Sequence, residues 1–144
     1  MALANGSSGY QYSTGNANEV LLFVQGTEVS KSAAATLTAA ELLNGIVKCS
    51  GTTYTVTLPA GGDLDVSTSS YSAPVASARA NSAFDFSVIN TASGTVTVAV
   101  GASGWATGVG TLTLATGTSG MFRCRKTSDG NWTLYRLEIG RAHV

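Results

Sequence analysis

Met121-Phe122-Arg123-Cys124-Arg125-Lys126, Thr127-Ser128-Asp129-Gly130, Asn131-Trp132-Thr133-Leu134-Tyr135-Arg136-Leu137: this run of strand, turn and strand decides the fold class. In an extended chain successive side chains point to opposite faces, so Phe122 and Cys124 share one face and Arg123 and Arg125 the other. Asp129-Gly130 closes a tight turn, because glycine reaches the positive φ that a hairpin needs. The pattern repeats upstream. Phe84, Phe86 and Val88 alternate with Asp85 and Ser87 in Ala83–Asn90, and Val96, Val98 and Val100 alternate with Thr95 and Thr97. Leu112 and Leu114 continue it in Thr111–Leu114. Ile46–Cys49 and Thr53–Leu58 add two short strands, and Glu19–Val24 reads as an apolar strand closed by Gly26. Strands separated by Gly, Ser, Asn and Thr turns predict an all-β fold, an antiparallel β-sandwich or jelly-roll-like barrel, rather than βαβ units.

One short helix is expected near residues 39–44. Thr38 is the N-cap, Glu41 its capping-box partner and Gly45 the left-handed residue after the end. Ser30–Ala35 reads as a polar connection and Ala60–Arg79 as a long loop in which Asp63-Leu64-Asp65 can start a further turn of helix. Residues 1–18 are rich in Gly, Ser, Asn and Tyr, without the basic and apolar regions of a secretory signal, and read as an extended arm. Tyr10 and Tyr12 alternate, so an extended arm turns both to one surface. Residues 19–137 then make a single β domain. Residues 138–144, Glu-Ile-Gly-Arg-Ala-His-Val, resemble the translation of a short-read sequencing adapter (GAG ATC GGA AGA GCA CAC GTC), so no function is assigned to them.

Composition narrows the chemistry. The 144 residues include 20 Ala, 17 Gly, 17 Ser and 19 Thr, about half the chain, and 8 basic residues balance 8 acidic ones. Charged residues make up 11 %, well under the usual ~25 %. A chain without net positive charge is a poor binder of the phosphate backbone, so no nucleic-acid partner is expected. No apolar run is long enough for a membrane helix, so no membrane partner is expected either. A neutral surface with few charges is weakly protected against association and suits a protein that partners cover.

The catalytic repertoire is thin. The sole histidine, His143, lies in the terminal stretch, so no Ser-His-Asp or Cys-His arrangement can be assembled and no catalytic residue is expected. Cys49 and Cys124 lack the closely spaced companions of a zinc site, and no metal or cofactor is expected. Cys124, on the Phe122 face, reads as a buried free thiol, with a Cys49–Cys124 disulfide as the alternative. Asp63 and Asp65 read as solvated turn carboxylates, and Asp85 as the partner of an arginine. Gly101, Gly104, Gly108 and Gly110 lie between strands and precede no helix, so they serve turns rather than phosphates. Within that loop Trp105 is either a lid on the core or a contact residue. Arg123, Arg125 and Lys126, with Arg136 on the next strand, form the basic cluster, read either as a solvated face or as a patch for an acidic protein surface.

Four segments carry a resemblance. Thr36-Leu37-Thr38-Ala39-Ala40-Glu41-Leu42-Leu43-Asn44-Gly45-Ile46-Val47 is similar to the "LTAAQLLxGII" opening of small tailed-phage virion proteins. Gly117 through Arg136 resembles their "GTSxxFRxRKTxxGxWTLYR" close, Phe84–Asn90 their "FDFTIIN" strand, and Gly15–Glu19 their "GNxNE" lead-in. The central Ala60–Ala73 segment departs from the family, which carries an Ala/Leu-rich helix there. The resemblance implies a compact β-fold with no catalytic residues. It also implies a role as a capsid decoration (cement) protein or head fibre on the virion exterior, made in the bacterial host cytoplasm. The major capsid protein of a tailed phage would be the partner and a homotrimer the working form, with Tyr10, Tyr12, Trp105, Arg123 and Arg125 as contact residues. The alternative is a receptor- or glycan-binding domain of a phage head or tail fibre, using Trp105 and Tyr71.

Overall fold

The structure, a computed structural model, describes residues 22–137. Among these residues nine strands and two short helices follow in the order β1 (Val29–Lys31), β2 (Ala35–Thr36), α1 (Ala39–Leu43), β3 (Ile46–Cys49), β4 (Tyr54–Thr57), α2 (Gly62–Asp65), β5 (Ala83–Asn90), β6 (Val96–Ala99), β7 (Thr113–Leu114), β8 (Ser119–Ser128) and β9 (Asn131–Leu137). Neither helix is long and apolar enough to cross a membrane. The Tyr10–Tyr12 arm and the 138–144 tail lie outside the described residues.

The strands form two sheets, β9-β8-β5-β3-β1 and β2-β4-β6-β7. Strand locations and faces follow the alternation, but the expected all-antiparallel pairing does not hold. β1–β3, β3–β5, β2–β4 and β4–β6 are parallel, and only β5–β8, β8–β9 and β6–β7 are antiparallel. The reason is the path of the chain. From β1 to β6 each strand falls in the sheet opposite to its predecessor, so the chain returns to a sheet running in the same direction. Parallel neighbours require a crossover, and here a strand of the other sheet supplies it instead of a helix. Side-chain alternation reports faces and says nothing of this alternation between sheets.

Two further expectations change. The described part of the Glu19–Val24 strand, Leu22–Val24, forms no strand pairing with the other described residues and is exposed. Pairing overrides intrinsic preference: it is Val29–Lys31 that lies along β3, with Val29 opposite the buried Val47 and Lys31 opposite the buried Cys49. The Ser30–Ala35 connection is correspondingly short, bounded by β1 and by β2, which pairs with Val56–Thr57.

One core joins both sheets. Val47, Cys49, Phe86, Val88, Phe122, Cys124, Trp132 and Leu134 from the five-stranded sheet meet Val56, Val96, Val98 and Leu114 from the other. Phe86 and Phe122 stack across the β5–β8 pair with centroids 5.3 Å apart. Asn90, at the end of β5, is buried with its amide satisfied: Nδ2 donates to Gly94 O and Leu114 O, and Oδ1 accepts from Ala92 N. α1 forms as expected. Thr38 accepts from Glu41 N, Glu41 accepts from Thr38 N, and Leu42 enters the core. Gly45, at φ +94°, ends it.

The cysteines are free. Cys49 sits opposite Asn90 and Cys124 opposite Phe84, six residues apart on β5. At about 3.3 Å per residue that is roughly 20 Å, far beyond the ~7 Å limit for a disulfide. Burial raises both thiol pKa values, that of Cys124 far above the ordinary range. A chromogenic disulfide reagent at mildly alkaline pH is therefore expected to titrate neither thiol in the native chain and both after denaturation, with the rate following unfolding.

Candidate functional site

The outer face of the five-stranded sheet has no layer of described residues over it. Strand register lays its side chains out in rows. Ile46, Ser87, Met121 and Leu137 form one row across β3, β5, β8 and β9. Lys48, Ile89 and Ser119 lie on one side of it, Asp85, Arg123 and Tyr135 on the other. Ile89 and Met121 are 40 % and 46 % exposed, and with Leu137, Ser87, Ser119 and Gly120 they line a shallow groove.

Beside the groove Arg123 reaches Asp85 with both ends of its fork, Nε to Oδ1 at 2.6 Å and Nη2 to Oδ2 at 2.9 Å. Arg123 holds the Asp85 carboxyl below the ordinary carboxylate range, chiefly through the hydrogen bond, while partial burial opposes it. An acid with a depressed folded pKa adds stability above its unfolded pKa and loses it as pH falls through the folded value. Asp85→Asn is expected to destabilise the chain slightly at neutral pH. The difference from wild type should vanish at strongly acidic pH and shrink in high salt, because the pair is exposed. Urea unfolding at several pH values measures it.

Arg125 lies on the same face as Arg123. Its Nε donates to the Tyr135 hydroxyl at 3.0 Å and its Nη1 to Asn81 Oδ1 at 2.7 Å. The rest of the sequence-read basic cluster is elsewhere. Lys126 points inward with Phe122 and Cys124 and is 2 % exposed, which corrects its assignment to the exposed patch. Its Nζ lies 2.7 Å from Asp65 and 2.9 Å from Asp129, and it donates to Ala78 O at 2.8 Å. Asp65, read as a solvated turn carboxylate, is thus buried, while Asp63 is exposed. Arg136 lies over the Phe122 ring at 5.4 Å and donates to Thr111 O and Thr113 O.

Trp105 is half-buried against the core, with its Nε1 donating to Pro59 O at 2.8 Å. Its loop lies along β9: Gly104 O accepts from Trp132 N, Ala106 N donates to Trp132 O, and Val109 N donates to Leu134 O. This covers an edge that would otherwise be open to further strands. Gly104, at φ +78°, passes against Gly130 where a β-carbon would strike its carbonyl. Tyr71 is exposed and lines a second cleft with Thr36, Thr38 and Asp63.

Arg123 and Arg125 lie on this face as expected from the sequence, and Ile46, Ile89, Met121 and Leu137 join them there without having been expected as site residues. The signal was present, because Met121 alternates with Phe122 and Ile89 with Val88, which turns both apolar side chains outward. The arrangement is an apolar strip with Lys48 on one side and the Asp85–Arg123 pair on the other. Among the described residues no three His, Cys, Asp or Glu side chains gather as metal ligands. Comparison of the chain with protein-family models, curated proteins and solved structures finds no match.

Proposed function

We propose that this protein is a structural component of a tailed-phage virion that decorates the capsid, bridging major capsid subunits as a homotrimer. The supporting observation is the outer face of the five-stranded sheet, with its groove of Ile89, Met121 and Leu137, the Asp85–Arg123 pair in the adjoining row and Arg125 beyond it. The sequence resemblance supplies the class of partner. Three of its four segments fall on α1, β3, β5 and the β8–β9 hairpin, elements that build the shared core, and the fourth, Gly15–Glu19, lies outside the described residues. In this reading two sheets around one core make a sandwich-like domain. Binding to the assembled shell and not to its free subunits would stabilise the shell by mass action. Purified protein is expected to co-sediment saturably with expanded cognate capsids and to raise their disruption temperature. Failure to bind them refutes the proposal.

A second reading, a receptor- or glycan-binding fibre domain, draws on the exposed Tyr71 ring beside Thr36, Thr38 and Asp63. It no longer draws on Trp105, whose ring is packed against the core. Binding to host cells or glycans without capsid affinity would favour it.

A further inference from the structure

Leu22, Phe23 and Val24 are 83, 83 and 103 % exposed, an apolar run that the domain leaves in solvent. Single exposed apolar residues are ordinary, but three in succession are not. The same chain offers a groove that such a run fits, between Ile89, Met121 and Leu137. We infer that Leu22–Val24 of one copy seats in the Ile89–Met121–Leu137 groove of a neighbouring copy. The inference deepens the homotrimer part of the proposed function and rests on it.

Charge supports the pairing. In sequence the run stands between Glu19 and Glu28, with no basic residue between them. Arg136 lines the groove and Lys48 stands opposite Ile89, while Arg123 in the adjoining row is paired with Asp85, so the unpaired charge at the rim is basic. Apolar contact at the centre and opposite charges at the rim are how specific interfaces are built. The exposure of the triplet within its own copy leaves it open to a neighbouring one. Gln25 Nε2 donates to Asn44 O at 2.8 Å, and Asn44 Nδ2 donates to Thr27 O at 3.1 Å. The chain is pinned beside the start of β3, where Ile46 continues the Ser87–Met121 row, and the triplet nevertheless stays exposed and clear of its own groove. A contact between two different patches is heterologous, and it closes into a ring when the rotation between copies permits.

The test uses the full chain. Phe23→Asp and Met121→Lys alter exposed side chains, so both variants should fold with the wild-type melting temperature. The native chain is expected to be multimeric at micromolar concentration, and each variant to weaken association about thirtyfold or more. Chains carrying Phe23→Cys, mixed with chains carrying Met121→Cys, are expected to form a disulfide-linked dimer under mild oxidation, because the buried Cys49 and Cys124 do not compete. A native chain that stays monomeric overturns both this inference and the trimer. A multimer that survives both substitutions and yields no cross-chain disulfide overturns the inference and leaves the trimer standing. Capsid co-sedimentation of the native chain reports separately on the proposed function.

Discussion

Lys126→Met is expected to lower the melting temperature by on the order of 10 °C. Lys126 is buried, and its ammonium is held between Asp65 and Asp129 with Ala78 O as a third acceptor. Asp65 is itself buried and accepts from Gly130 N through both oxygens. The cluster therefore joins α2, the stretch before β5 and the β8–β9 turn at one point. Removing the ammonium leaves the Asp65 carboxylate in a low-polarity site with one backbone donor, and an unpaired buried charge costs far more than an intact pair contributes. Asp65→Ala should be similarly severe, since it strands the ammonium and removes the acceptor for Gly130 N. The double variant Asp65→Leu/Lys126→Met should recover part of the loss, because two apolar side chains leave no buried charge, and a double-mutant cycle measures the coupling. The pH dependence has a definite sign. Hydrogen bonding to Asp65, then to Asp129, raises the Lys126 pKa. A raised base adds stability below its unfolded pKa and loses it only as pH rises through the folded value, so the contribution persists through neutral pH and fades in strong alkali. Trypsin provides a local readout: cleavage after the exposed Arg79 should accelerate in the single variants, as the loop loses its anchor.

Lys126 also marks where sequence reading stops. Its place on the Phe122–Cys124 face follows from period-two alternation, which puts it inward. Grouping it with Arg123 and Arg125 by charge set aside that same alternation. Its partner Asp65 stands sixty-one positions earlier in the chain, and no local pattern announces it. The α1 cap, the β8–β9 hairpin and the Phe84–Phe86–Val88 face were legible because each depends on residues within a few positions of one another. Strand neighbours were not legible, because the alternation of β1 to β6 between sheets depends on how connections cross the core. Leu22–Val24 illustrates the opposite error. Its composition favours a strand, yet the short Val29–Lys31 takes the place beside β3. At the candidate site Arg123 and Arg125 were found by charge, whereas Ile89 and Met121 were passed over although alternation alone places them on that face.

Trp132→Ala is expected to cost about 3–5 kcal/mol, and Trp132→Phe far less than the loss of ring size alone would suggest. Trp132 is buried, packs edge-on against Phe84 with centroids 5.6 Å apart, and lies where the Gly104 loop meets β9. Truncation to Ala empties the largest fully buried side chain of the core, and the surrounding sheets can collapse only partly into the space. Phenylalanine differs in a second respect. The indole Nε1 finds no acceptor among the described residues. An unmatched buried donor costs about 1–3 kcal/mol, and Phe removes that cost while keeping a ring against Phe84. The smaller ring leaves some void, so the two effects oppose each other and the net change should lie within about 1 kcal/mol of zero. Denaturant unfolding of the three proteins decides the matter. If Trp132→Phe proves nearly as damaging as Trp132→Ala, the indole N–H is matched in solution and no unmatched-donor cost exists there to remove.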